Sequence, residues 1–168
     1  FEATANAVDI PVILYNVPSR TGMSISVDVC KELSKIDNIV AIKEASGDIS
    51  QVAAIARLCG DQLDIYSGND DQIVPVMSLG GKGVISVLSN LLPRETSQMC
   101  HAYLTGDVET ARDMQLKYLP LIDSLFCEVN PIPVKAAMSA MGYCDNYLRL
   151  PLTPMEDANE QRLLTDMR

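Results

Sequence analysis

The chain has 168 residues, of which 48% are hydrophobic, and it carries a formal net charge of −9 at neutral pH. This length and apolar content suit one folded domain and exclude a disordered chain. The acidic residues are spread along the sequence without a basic cluster. Neither nucleic acid nor an anionic membrane surface is therefore the predicted partner, and a small metabolite fits better.

The five cysteines are scattered singly, without a CxxC motif or a compact disulfide framework. This usage indicates a reducing compartment, so we expect a cytoplasmic protein. No apolar run approaches the length of a membrane span, and no signal peptide is visible. The chain begins with Phe1 rather than Met, so its start need not be the start of the gene.

Four short apolar runs rich in β-branched residues predict strands. They are IPVILYNV, NIVAIKEA, QLDIYSG and GVISVLSN, at 10–17, 38–45, 62–68 and 83–90. The segments between them have helical periodicity, and after residue 92 the sequence predicts helices only. Strands that are apolar along their length and alternate with helices predict an α/β fold with a parallel sheet and right-handed crossovers.

Polar side chains gather at the carboxyl ends of the predicted strands. Tyr15 and Asn16 end the first strand, Lys43 and Glu44 end the second, and the segment 66–68 ends the third. Parallel α/β folds carry their active sites at this end, in open sheets and in (β/α)8 barrels alike. We therefore expect the functional site there.

Lys43 directly follows the apolar run 39–42 and has two interpretations. Its stem can pack on apolar neighbours while its ammonium reaches water. Alternatively it is a nucleophile, which requires desolvation or nearby cations because an ordinary lysine, with a pKa of about 10.4, is protonated at neutral pH. A buried strand end supplies such desolvation, so Lys43 is the candidate for Schiff-base chemistry.

Schiff-base formation also needs a group that carries protons. The only histidine, His101, lies in the helical region, so Tyr15 is the candidate, with an ordinary amphipathic tyrosine as the alternative. The sequence VPSRTG places Arg20 in a predicted loop, where its guanidinium either binds a carboxylate bidentately or is simply solvated.

Other candidate sites are weaker. The GGKG segment at 80–83 looks like a phosphate cradle but precedes its strand, so a tight turn is the better interpretation. No grouping of His, Cys, Asp and Glu has metal-ligand spacing, and no Ser/His/Asp set can be assembled around His101. We predict neither a metal nor a cofactor.

Five segments together resemble the dihydrodipicolinate synthase family of the class I pyruvate-dependent aldolases. They are YNVPSRTG at 15–22, IKEASGD at 42–48, SGND at 67–70, GGKGVISV at 80–87 and NPIPVKAA at 130–137. The resemblance implies a (β/α)8 TIM barrel, with its last four βα units at 1–92 and the last barrel helix and a C-terminal helical region at 93–168. The first barrel half, with a GTTGE-like segment and a tyrosine reaching a neighbouring subunit, is missing.

The resemblance implies a lyase that condenses pyruvate with L-aspartate 4-semialdehyde in lysine and diaminopimelate biosynthesis. Lys43 then forms the Schiff base with pyruvate, Tyr15 passes protons, and Arg20 binds the carboxylate of the semialdehyde or product. Three further substrate-binding residues are implied: Ile85 through its main chain, Gly68 and Asn130. The family also implies a homotetramer.

Two alternatives stay open. N-acetylneuraminate lyase and the 2-keto-3-deoxy-sugar-acid aldolases share the lysine and the tyrosine, while the arginine of PSRTG favours the synthase. The other alternative is a noncatalytic half-barrel, because four parallel strands alone leave exposed edges and an unfilled centre. We expect such a chain to be stable only with its other half or with a second copy.

Overall fold

The computed structural model describes residues 1–168 and contains one sheet of four parallel strands in chain order. The strands are β1 (Val12–Asn16), β2 (Ile39–Glu44), β3 (Asp64–Ser67) and β4 (Gly83–Val84). The chain forms two compact units, residues 1–85 and 86–168. The parallel order agrees with the sheet predicted from the uniformly apolar runs.

The first unit holds all four strands and five α-helices. The helices are α1 (Glu2–Ala5), α2 (Pro18–Thr21), α3 (Val27–Leu33), α4 (Ile49–Cys59) and α5 (Ile73–Ser78), the last preceded by a 3₁₀ turn, Asp70–Gln72. The side chain of Ser26 accepts a hydrogen bond from the Val29 N–H and thereby caps α3. Asp48 caps α4 by accepting from the N–H groups of Ser50 and Gln51. Both helices therefore begin at side-chain caps.

One face of the sheet is covered by helices and the other is open. Leu14, Ile42 and Ile65 are buried in the main core of the unit. The helical side of that core is contributed by α3, α4 and α5: Cys30, Leu33, Val52, Ile55, Cys59 and Val76. On the opposite face Ile13 and Tyr15 are 49% and 45% exposed. The unit thus buries a single side of its sheet.

Cys30 lies fully buried in this core, and its thiol makes stability depend on pH. Burial raises the pKa of Cys30 from 9.0 to about 12, with smaller contributions from Cys59 and Glu44. The folded chain therefore keeps the thiol proton to a higher pH than the unfolded chain does. This stabilising contribution is complete below about pH 9 and is lost as the pH rises toward about 12.

We expect Cys30→Ala to remove this part of the alkaline loss of stability. The variant starts from a lower free energy of unfolding because it leaves a cavity, but its free energy falls less steeply above pH 9 than that of the wild type. Urea unfolding followed by circular dichroism between neutral pH and pH 11 measures both slopes. Parallel slopes would contradict the assignment to Cys30.

The second unit is helical, as predicted. Its helices are α6 (Pro93–Leu104), α7 (Val108–Leu125), α8 (Ile132–Ala140) and α9 (Asp157–Asp166). They share a core whose fully buried members include Leu88, Leu125, Ala137 and Leu163. None of the helices in the chain combines the length and the apolar character needed to cross a membrane.

The fourth strand is much shorter than its apolar sequence predicts. Only Gly83–Val84 pairs with β3, and the chain then forms a 3₁₀ turn at Leu88–Asn90. The Ser86 hydroxyl accepts from the Ser89 N–H at 2.9 Å, and the Ser89 hydroxyl donates to the Ser86 carbonyl at 3.1 Å. These local bonds compete with strand pairing, so the apolar run 83–90 was wrongly predicted as one strand.

Candidate active site

Three side chains form one row across the carboxyl ends of β1, β2 and β3. Tyr15 is in register with Lys43, and Lys43 is in register with Tyr66. Because residues paired in neighbouring parallel strands point to the same face, the three side chains share the open face of the sheet. The Lys43 Nζ lies 4.3 Å from the centroid of the Tyr15 ring.

In this noncovalent contact an amine lies over the ring of a phenol. The electron-rich ring face attracts the ammonium of Lys43 and holds its side chain over β1. Lys43 is half-buried, while Tyr15 is exposed. An amine that lies against a phenol ring, and that small molecules can still reach, offers a nucleophile for carbonyl chemistry with a hydroxyl group on the neighbouring strand.

Gly68 follows β3, and because it has no side chain the aliphatic part of the Lys43 side chain can pack against it. Its N–H donates to the carbonyl of Glu44 at 2.7 Å, which brings the two backbones together. A Cβ at position 68 would lie 3.1 Å from the Lys43 Cε and 2.6 Å from the Ala45 Cβ. A side chain there would therefore have to displace Lys43 and the backbone after β2.

We expect Gly68→Ala to destabilise the chain by about 1–3 kcal/mol and to shift Lys43. The matched control is Gly106→Ala, where an added Cβ meets nothing within 4 Å but the backbone φ of 92° costs strain. Chemical denaturation gives both stabilities, and acetylation of Lys43 relative to Lys35 reports on the amine. Equal acetylation ratios in the two variants would contradict the steric argument.

Ile85 lies one residue beyond β4, at the end of the first unit. Its N–H donates to the Ser67 carbonyl at 2.9 Å, and its side chain is 39% exposed. Since the N–H is used by the sheet, a main-chain contact from Ile85 to a ligand would have to come from its carbonyl.

The sequence predicted a loop for Arg20, and this was wrong. Arg20 lies in the one-turn helix α2. Pro18 occupies the first turn, where its missing N–H costs nothing, and Gly22 ends the helix with a φ of 72°. The Arg20 side chain is exposed. Asn130 belongs to the second unit, between α7 and α8.

The sequence assigned no role to the polar residues that alternate with Tyr15 and Lys43. Asn16 and Glu44 point to the helix-covered face and are buried, at 1% and 3% exposure. The Asn16 Nδ2 donates to both Glu44 carboxylate oxygens, at 3.1 and 2.9 Å. Because successive side chains of a strand point to opposite faces, the sequence indicated that Asn16 and Glu44 face away from Tyr15 and Lys43. Only the structure shows that Asn16 and Glu44 are hydrogen-bonded to each other.

Comparison with known proteins relates the chain to one enzyme family. The sequence profile of the dihydrodipicolinate synthetase family matches residues 1–168. The 4-hydroxy-tetrahydrodipicolinate synthase of Alkaliphilus oremlandii is 55% identical over 168 residues, which is 100% of this chain and 58% of that protein. The same enzyme of Caldicellulosiruptor saccharolyticus is 60% identical over 163 residues, covering 97% of this chain and 55% of the relative.

Solved structures agree. The 4-hydroxy-tetrahydrodipicolinate synthase of Methylacidiphilum fumariolicum SolV superimposes with a TM-score of 0.97 at 40% identity, covering 99% of this chain and 56% of that one. The dihydrodipicolinate synthase of Aquifex aeolicus gives 0.94 at 43% identity, covering 97% and 56%. This confirms the predicted fold class, four βα units of a (β/α)8 barrel with a C-terminal helical region.

The chain spans 55 to 58% of the length of the curated relatives described above. The match includes the strand ends that carry Tyr15 and Lys43, because the family profile extends over residues 1–168. The chain therefore belongs to the dihydrodipicolinate synthetase family.

Proposed function

We propose that this chain carries the Schiff-base centre of a 4-hydroxy-tetrahydrodipicolinate synthase. The reaction is the condensation of pyruvate with L-aspartate 4-semialdehyde, a step of lysine and diaminopimelate biosynthesis. The observation that carries the proposal is the Lys43 amine at 4.3 Å from the Tyr15 ring centroid, at the carboxyl ends of two parallel strands. The names of relatives at 55–60% identity support the choice of reaction.

The chemistry begins with the amine. The neutral Lys43 amine attacks the keto carbon of pyruvate, and the carbinolamine loses water to give an imine. Both steps need proton transfer to and from oxygen, which we assign to the Tyr15 hydroxyl. Loss of a proton from the pyruvate methyl group to water gives an enamine, whose carbon attacks the aldehyde carbon while the aldehyde oxygen takes up a proton. The amino group of the semialdehyde then attacks the imine carbon, which closes the ring and releases the Lys43 amine.

The remaining predicted residues are proposed to bind substrate. Arg20 would bind the semialdehyde carboxylate through its planar guanidinium. The Ile85 carbonyl and the backbone at Gly68 would lie beside pyruvate. Asn130 stays a predicted substrate-binding residue, on the family resemblance alone. No metal or cofactor takes part in this proposal.

We also infer that the open face of the sheet is completed by further βα units of the family barrel. The exposure of Ile13 and Tyr15 supports this, because the interior of a barrel is filled by side chains of all its strands.

A homotetramer in the cytoplasm is the proposed assembly, and the five free cysteines are compatible with a reducing compartment. One similar structure, at 35% identity and a TM-score of 0.95, is described as the first monomeric dihydrodipicolinate synthase variant.

The test is borohydride trapping. The chain is incubated with pyruvate, reduced and digested, and the peptide carrying Lys43 is examined by mass spectrometry, with the Alkaliphilus oremlandii enzyme as the reacting control. A pyruvate-dependent adduct on Lys43 supports the proposal. Folded chain that forms no adduct while the control reacts would favour the noncatalytic half-barrel.

A second assay separates the synthase from related aldolases. In a sample that is not reduced, L-aspartate 4-semialdehyde should consume the enamine formed from pyruvate. N-acetylneuraminate and 2-keto-3-deoxy-gluconate, each offered to the pyruvate-free chain, should not be cleaved. Cleavage of either sugar acid, with no reaction of the semialdehyde, would replace the synthase by an aldolase of the same superfamily.

A further inference from the structure

A buried carboxylate lies directly behind the Lys43–Tyr15 pair. The Glu44 side chain is 3% exposed and accepts from the Asn16 amide, from the Ser46 N–H at 2.6 Å and from the Gln51 amide at 3.4 Å. These donors come from β1, from the segment after β2 and from α4. One carboxylate therefore ties three separate parts of the first unit together.

The Asn16 side chain extends this network to the segment before α3. Its Oδ1 accepts from the Ile25 N–H at 2.9 Å, while its Nδ2 also donates to the Ser24 hydroxyl at 3.1 Å. The Asn16 carbonyl in addition accepts from the Ala45 N–H at 2.9 Å. The ends of β1 and β2 are thus held by side-chain and main-chain bonds together.

The network and the reactive pair occupy opposite faces of the same two strands. Asn16 is the neighbour of Tyr15, Glu44 is the neighbour of Lys43, and both pairs are in register. Because successive side chains of a strand point to opposite faces, a rotation or slip of the backbone at Glu44 would also move the Cβ of Lys43. The bond between Asn16 and Glu44 therefore restrains the same stretch of backbone that carries Tyr15 and Lys43.

We propose that Glu44 and Asn16 are positioning residues that set the geometry of the Lys43 amine against Tyr15. This inference rests on the proposed Schiff-base function. Apolar side chains of similar volume would fill the same space without the cost of a buried charge. Apolar side chains would not fix the relative direction and distance of the ends of β1 and β2, as hydrogen bonds to two carboxylate oxygens do. Neither residue touches the substrate in this proposal.

The test exchanges the amide donor and the carboxylate acceptor between positions 16 and 44. Asn16→Asp alone places a second carboxyl group against Glu44 and removes the amide donor. The variants are compared at alkaline pH, where neither carboxyl group holds a proton and the strand ends should separate by repulsion. Combining Asn16→Asp with Glu44→Gln restores one amide donor and one carboxylate acceptor in exchanged positions. The Ser46 and Ile25 N–H groups keep an oxygen acceptor in the double variant.

Two readouts are measured for the wild type, the single variant and the double variant. The first is the rate of borohydride-trappable adduct formation on Lys43 at saturating pyruvate, together with the half-saturating pyruvate concentration. We expect Asn16→Asp to slow the rate by about 10- to 100-fold with little change in half-saturation, because the amine is misplaced rather than pyruvate lost. The double variant should recover to within about threefold of the wild type.

The second readout needs no pyruvate. Acetylation of Lys43 by acetic anhydride is compared with that of Lys35, an exposed lysine just after α3, in the same sample. Asn16→Asp should release Lys43 from the Tyr15 ring and raise its relative acetylation, and the double variant should restore the wild-type ratio. The control for general destabilisation is Val52→Ala, a core change in α4, which should leave both readouts of the folded chain at wild-type values.

The outcomes separate the two proposals. Wild-type rate and acetylation in Asn16→Asp, or a double variant no better than the single one, would overturn the positioning role. A wild-type chain that forms no adduct would instead overturn the proposed function. In that case the acetylation ratios alone decide whether Asn16 and Glu44 position the amine.

Discussion

Lys43→Ala is expected to abolish the pyruvate adduct while leaving the fold intact. The variant lacks the nucleophile, and no other group of the row Tyr15, Lys43 and Tyr66 is an amine. Lys43 is only half-buried and its ammonium contacts the ring of Tyr15, so the free energy of unfolding should change by less than about 1 kcal/mol. Mass spectrometry after reduction measures the adduct, and urea unfolding measures stability.

Two controls sharpen this expectation. Lys43→Arg keeps a positive charge that can lie over Tyr15, but its guanidinium stays protonated and cannot form an imine. It should therefore be as inactive as the alanine variant. Lys82→Ala changes a lysine at the opposite end of the sheet, paired with Asp64 at 3.9 Å, and should react normally. An undiminished adduct in Lys43→Ala, on another lysine, would contradict the assignment.

The placement of Lys43 and Tyr15 could be predicted because it depends on local signals. Each residue follows an uninterrupted apolar run, and such runs, separated by helical segments, predict parallel strands. Parallel strands put their carboxyl ends at one edge, so the two residues had to be near each other. The exact register, Tyr15 opposite Lys43, needed the structure, because strand lengths alone do not fix it.

Other features depend on contacts between distant residues or on weak local preferences. The bonds of Glu44 to Asn16 and Gln51 join residues 28 and 7 positions apart in sequence, and nothing in the composition of either segment indicates them. The one-turn helix that carries Arg20 has four residues, too few for a periodic pattern. The turn at 86–89 arises from two serine side chains in an apolar run that otherwise favours a strand.

Tyr15→Phe is expected to slow adduct formation by about 10²- to 10⁴-fold, the usual contribution of a positioned proton carrier. The phenylalanine ring can still lie against the Lys43 ammonium, so the contact observed at 4.3 Å is retained and only the hydroxyl is lost. Because Tyr15 is 45% exposed, stability should change by less than about 1 kcal/mol. Quenched-flow trapping at saturating pyruvate measures the rate.

The matched control is Tyr66→Phe, which removes a hydroxyl from the other neighbour of Lys43 in the same row. If Tyr15 alone carries protons, this variant should react at the wild-type rate. A slow Tyr66→Phe together with a normal Tyr15→Phe would move the proton carrier from β1 to β3. Two equally fast variants would leave proton transfer to solvent, and the Tyr15 ring would then serve only to hold the amine over the strand end.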